Sequence, residues 1–210
     1  MILPSIDFYD LTPEFDYVKL MGLLGRYARP REQVTKLLRS KKIIRIKKGI
    51  YILGPEFKKP YSDAILANMI FGPSYLSGLS ALSFYNLIPE RTEVTYSRTP
   101  NRNKVFDTPI GRFIYDVLPM RQYCVSVEKV ALDEKRSFLI ASREKAIIEL
   151  LQKVEGIESS EDVEDWLASM RIDTDCLPVL RLTELKEIRK VLPQRLVDYV
   201  ITVVRKAKNE

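Results

Sequence analysis

The chain has 210 residues, 46% hydrophobic and 30% charged, which is enough for one large or two small packed domains and excludes wholesale disorder. It contains no histidine, which removes the usual general base, the Ser/His and Cys/His catalytic pairs and the commonest metal ligand. The net charge of +6 is uneven: residues 1–60 carry 13 Lys/Arg against 6 Asp/Glu, whereas residues 61–210 carry 21 against 22, so a polyanionic partner is expected for the N-terminal part alone.

The two cysteines, Cys124 and Cys176, are isolated and form no zinc-binding spacing. The opening MILPSIDFYD has neither a basic nor an apolar leader segment, and no apolar run approaches membrane-spanning length. A cytoplasmic protein without metal, cofactor or membrane contact is expected.

Along the chain, Thr12-Pro13-Glu14 joins an N-cap residue, a proline suited to the first helical position and a first-turn acid. This predicts a helix to about Leu24, closed by Gly25. Pro30 opens a second helix. There Val34, Leu37 and Leu38 share one face, and Glu32, Gln33, Lys36, Arg39 and Ser40 face the other way, with Thr35 at the margin. Ile43–Ile46 and Ile50–Leu53 read as strands around Lys47-Lys48-Gly49, where Gly49 supplies a positive φ.

Between Arg26 and Lys48 stand ten bases and one acid, Glu32. A helix followed by a basic hairpin is the order of a winged helix-turn-helix, whose helix enters the major groove while the wing touches backbone or minor groove. A full module has three helices, so the first eleven residues would have to supply one, or the module is reduced. The bland alternative is a solvated charged face. By type, Gln33 and Arg39 suit bidentate base contacts, and Lys36, Lys41, Lys42, Arg45, Lys47 and Lys48 suit phosphates. Arg31, Thr35 and Ser40 complete the expected DNA-binding set. With about 6 phosphates neutralised, affinity would fall with salt at a log–log slope of about −5.

The stretch 54–60 (GPEFKKP) is the best linker, which places a DNA-binding domain at 1–58 and a second domain at 59–210. Beyond it, helices are expected at Asp63–Phe71 and from a Ser77 cap to about Asn86. Strands follow at Thr92–Arg98, Lys104–Asp107, Arg112–Leu118, Tyr123–Val130 and Ser137–Ala141. Ser142 caps a helix to about Lys153 with Ala146, Ile147, Leu150 and Leu151 as its buried stripe. Three more helices start near Ser159-Ser160, Thr183 and Gln194. The class is α+β: a reduced winged helix, then a small antiparallel sheet over about 92–141 and helices over 142–210.

Arg98, Arg102, Lys104 and Arg112 flank a polar loop at 99–103 and form a second basic group, readable as a soluble sheet edge or as a contact surface for partner protein, RNA or flanking DNA. Six acids between Glu155 and Asp165 read as a helix N-terminus with a wet face, or as a dock for a basic partner. Asp173-Thr174-Asp175 mimics the D-x-D of metal-dependent nucleotidyltransferases, and Asp175 with Glu184-Leu185-Lys186 mimics a nuclease D…E-x-K. The first lacks an upstream phosphate-holding loop and the second opens a helix, so no catalytic residue is expected.

YLSGLSALSFYNLIPE (Tyr75–Glu90), KVFDTPIGRFIYDVLP (Lys104–Pro119) and IASREKAIIELL (Ile140–Leu151), together with the basic element and its KKGIYIL, resemble the AbiEi-type antitoxins of bacterial abortive-infection toxin–antitoxin systems. The resemblance implies an N-terminal winged helix that represses its operon promoter; an inverted repeat is expected there, since two copies of one helix on a two-fold DNA site is the usual geometry. The resemblance also implies a C-terminal domain that neutralises a nucleotidyltransferase toxin, with direct contact left open. The alternatives are a protein whose C-terminal domain directly inhibits a partner and, last, a metal-dependent nuclease or nucleotidyltransferase.

Overall fold

The computed structural model describes residues 8, 11–90, 92–172 and 174–208. The N-terminal part runs β1 (Glu14–Asp16), α1 (Tyr17–Leu24), α2 (Pro30–Arg39), β2 (Ile43–Lys47) and β3 (Ile50–Leu53). Its three strands form an antiparallel sheet in the order β1-β3-β2. The expected helix start at Thr12 is not what forms. Glu14, Phe15 and Asp16 instead pair with Ile52, Tyr51 and Ile50. The helix begins at Tyr17, with the Asp16 carboxylate accepting the Lys19 N–H at 2.8 Å. Burial of Phe15 and its stacking on Tyr51, with ring centroids 6.0 Å apart, outweigh the local cap signal, as tertiary packing commonly outweighs propensity. The expectation of a further helix from the first eleven residues falls almost wholly on residues outside those described.

The hairpin forms as its sequence predicts. Lys47 pairs with Ile50, leaving Lys48-Gly49 as the loop, and Gly49 has φ +89°. Strand β3 is buried along its whole length. Side chains alternate across a strand, so Tyr51 and Leu53 join Phe15, Leu20, Val34 and Leu37 in the N-terminal core. Ile50 and Ile52, with Ile46 of β2, join the core of the rest of the chain. On that same side Glu14 is buried, accepts the Ser62 N–H and pairs with Arg136 at 3.4 Å.

The remainder comprises α3 (Asp63–Ile70), β4 (Tyr75–Leu76), α4 (Gly78–Phe84), β5 (Val94–Thr99), β6 (Lys104–Thr108), β7 (Gly111–Val117), α5 (Met120–Tyr123), β8 (Val127–Ala131), β9 (Ser137–Ala141) and α6 (Arg143–Leu151). Three further helices follow: α7 (Ser160–Ser169), α8 (Leu182–Arg189) and α9 (Gln194–Ala207). The α+β class stands, but the sheet is larger than expected and mixed. Its six strands lie in the order β6-β7-β5-β4-β9-β8, with β5–β7 and β4–β9 parallel. Tyr123 closes the one-turn α5 rather than opening a strand. On one face of the sheet the Tyr115 hydroxyl donates to the Ala67 carbonyl of α3 at 2.7 Å. From the other face the Tyr75 hydroxyl reaches Glu149 of α6 at 2.5 Å. The apolar sides of α7, α8 and α9 (Val163, Leu185, Val200) extend the same core. Among the described residues no helix is long and apolar enough to cross a membrane.

Because β3 belongs to both cores, Ile52→Ala is expected to cost about 2–5 kcal/mol while leaving one cooperative transition in denaturant. Separate transitions followed by far-UV dichroism and tyrosine fluorescence would show instead that the two cores unfold independently.

Candidate nucleic-acid interface

Helix α2 docks through Val34 and Leu37, which are buried, and Leu38, which is half-buried. Arg31, Thr35, Lys36, Arg39 and Ser40 are exposed on it, and Gln33 is half-buried, so its amide is only partly presented. The Thr35 and Ser40 hydroxyls donate back to the carbonyls of Arg31 (3.3 Å) and Leu37 (3.2 Å). At the helix end Lys41 takes a left-handed φ of +57°. Gly54 then passes beneath it: its N–H donates to the Lys42 carbonyl at 2.8 Å, and a Cβ there would lie 2.0 Å from the Lys41 carbonyl oxygen. Only glycine permits that approach, which fixes the root of the hairpin against the C-terminal end of α2. Lys41, Lys42, Arg45 and Lys48 are exposed along and around this hairpin.

Of the ten bases between Arg26 and Lys48, Arg29 alone forms an ion pair among the described residues, with Glu32 at 3.1 Å. Later in the chain bases are routinely matched with acids, as in Arg136–Asp133, Arg181–Glu128, Arg189–Asp198 and Lys206–Glu164. The basic stretch is thus a field of uncompensated cations displayed on a rigid helix and hairpin, the condition that raises local anion concentration.

Lys47 departs from its expected role. Its ammonium donates to the Ile70 carbonyl at 2.7 Å and lies 4.5 Å from the Phe106 ring centroid. Burial, reinforced by the nearby Lys104 charge, lowers its pKa. Lys47 therefore ties the hairpin to the sheet and is withdrawn from the phosphate-contact set.

The second basic group does not hold together as one surface. Arg98 is only 12% exposed, with Nε 3.4 Å from Glu149 and Nη1 3.6 Å from Asp116. Arg112 is exposed but pairs with Asp107 at 3.2 Å. It also lies on the sheet face opposite Lys104, because Lys104 registers with Tyr115 and Arg112 with Asp107. Arg102 and Lys104 remain exposed and form no ion pair among the described residues.

A buried polar network had no counterpart in the sequence reading. Glu149, 1% exposed, accepts from the hydroxyls of Tyr75 and Ser77 and faces Arg98. One turn earlier Lys145 Nζ donates to the carbonyls of Gln122 (2.7 Å), Tyr123 (3.2 Å) and Val125 (2.6 Å) and lies 3.8 Å from Glu149. Burial pushes the Lys145 ammonium down to about 8, against the pull of Glu149. A recess of about 260 Å³ opens beside this network between Gly78, Tyr96, Asp116 and Lys153. The sequence carried no signal for the network: at about 100° per residue the apolar residues 146, 147, 148, 150 and 151 span about 200° of the helix, and Lys145 and Glu149 fall in the remaining arc, where a wet face is expected.

Asp173 and the side chains of Thr174 and Asp175 lie outside the described residues. The Glu184 carboxylate accepts from the Ser126 hydroxyl at 2.7 Å and stands 3.9 Å from Arg181. The acidic run is built into local structure: Ser159 and Asp162 form a capping box, and Glu164 pairs with Lys206. Sequence comparison finds no family profile that matches this chain and no curated protein similar to it.

Lys145→Met leaves three carbonyls without their donor and a buried carboxylate without one of its cations, so a loss of about 3–5 kcal/mol in denaturant-derived stability is expected. A change below about 1 kcal/mol would mean that the network relaxes without Lys145.

Proposed function

We propose that this chain binds duplex DNA through α2 and the β2–β3 hairpin as a winged helix-turn-helix repressor of its own promoter. The observation that carries the reading is the basic stretch from Arg26 to Lys48, whose bases other than Lys47 are exposed on and around one helix and one hairpin with a single ion pair among the described residues. The order of elements supports it: a strand, two helices joined across 25–29, then a hairpin whose second strand pairs with the first strand of the unit. With Lys47 withdrawn, Lys36, Lys41, Lys42, Arg45 and Lys48 hold phosphates, which gives a salt slope of about −4.5. Arg39 and the part-exposed Gln33 read bases. Two copies bind a promoter inverted repeat, matching the two-fold symmetry of such a site.

The resemblance to AbiEi-type antitoxins extends this proposal. The chain is the cytoplasmic antitoxin and autorepressor of a pair whose toxin is a nucleotidyltransferase, and it has no catalytic activity of its own. Two carboxylates with internal partners, one buried and one part-exposed, favour this non-catalytic role. Glu149 and Glu184 are each committed to hydrogen bonds and cationic partners within the protein.

Lys36→Ala combined with Arg39→Ala removes one phosphate and one base contact from exposed positions. Its affinity for a duplex carrying the promoter repeat is expected to fall about 100-fold. Its unfolding free energy should stay within about 0.5 kcal/mol of the parent. Unaltered binding in a gel-shift titration would remove α2 from the recognition role.

A further inference from the structure

Arg102 and Lys104 are what remains of the second basic group once Arg98 is buried and Arg112 is paired on the far face. Their position relates them to the hairpin. Lys104 shares the sheet face of Phe106, two residues on, and its ammonium is 5.9 Å from the Phe106 ring centroid. The Lys47 ammonium sits on the same ring at 4.5 Å. Strand β6 is the outermost strand of its sheet, and the Lys47 side chain at the end of β2 reaches its Phe106 ring.

Two ammonium groups share one aromatic ring here, and neither forms an ion pair among the described residues. Like charges so placed repel: burial first, and the Lys104 charge second, make Lys47 harder to protonate. An anion held at the exposed Lys104 relieves that repulsion. The loop that carries Arg102 is held at both sides. The Asn101 amide donates to the Gly72 carbonyl at 3.3 Å, and the Asn103 side-chain oxygen accepts the Val117 N–H at 2.7 Å. The hairpin is pinned to the same body by Lys47 and by Ile46, Ile50 and Ile52. Cations from both parts are thus presented at a fixed separation.

We propose that the nucleic-acid interface continues past the hairpin onto the edge of the six-stranded sheet, where Arg102 and Lys104 hold backbone phosphates of the same duplex that α2 engages; this rests on the duplex-binding reading above. The competing account of these two cations is that they only discourage edge-to-edge strand pairing, which requires no anion.

The test is fluorescence anisotropy of the full chain with a labelled duplex carrying the promoter repeat, at salt from about 50 to about 300 mM. Wild type is compared with Arg102→Ala/Lys104→Ala and with Arg112→Ala. The double variant should bind about tenfold or more weakly at about 0.1 M salt, with a log–log slope shallower by about 2. Arg112→Ala should leave affinity and slope unchanged. Wild-type binding with an unaltered double variant overturns the extension and leaves the α2–hairpin reading standing. Failure of wild type to bind duplex overturns both. A double variant weakened toward single-stranded RNA but not toward duplex also overturns the extension, since the two cations then serve a different polyanion.

Discussion

The double burial of β3 is the constraint on which the rest of the molecule depends. Ile50 and Ile52 face one core and Tyr51 and Leu53 the other, so neither core closes without this strand. Polar contacts on the same side reinforce the apolar ones: Glu14 with Ser62 and Arg136 at one end of the small sheet, and Lys47 with Ile70 at the other. Burying a carboxylate is costly unless it is paired and hydrogen-bonded; Glu14 Oε1 meets both Ser62 and Arg136, while its Oε2 has no partner among the described residues. A basic hairpin that could have swung freely on a linker is instead an internal strand pair of the whole fold.

This rigidity bears on recognition. Phosphate contacts position a protein on duplex, and they do so well only when the cations hold a fixed geometry. The close approach of Gly54 to Lys41 fixes α2 relative to the hairpin, and β3 fixes the hairpin relative to the sheet. Under the proposed duplex-binding role, association orders few backbone torsions and its entropic cost stays low. The same contacts link the C-terminal part to the small sheet through the Arg136–Glu14 pair. A partner that shifted the β8–β9 connection, where Arg136 lies, would act on Glu14 and hence on β1.

Much of the basic unit was legible in the sequence because its signals are local. The spacing of Val34, Leu37 and Leu38 fixes the docking face of α2, and Gly49 fixes the turn. What was not legible depends on partners distant in the chain. Glu14–Asp16 carries a helix-start signal, but Ile50–Ile52 recruits it as a strand. Strand β4 has two residues, too few for any periodicity, yet it joins the two parallel pairs at the centre of the sheet. The burial of Lys145 and Glu149 depends on Tyr75, Ser77 and the carbonyls at 122–125, between 20 and 74 residues away. The expectation for Lys47 failed similarly, since residue type alone cannot reveal that Ile70 and Phe106 would claim its ammonium.

Residue-resolved lysine acetylation, read by mass spectrometry with and without a duplex carrying the promoter repeat, tests the central claim most directly. Lys36, Lys41, Lys42 and Lys48 should react freely in the unbound protein and become protected on the duplex, while Lys47 reacts slowly in both states because its ammonium is already engaged. Equal reactivity of the first four with and without duplex, or protection confined to exposed lysines elsewhere such as Lys129, Lys135 and Lys186, would contradict the placement of the nucleic-acid interface on α2 and the hairpin.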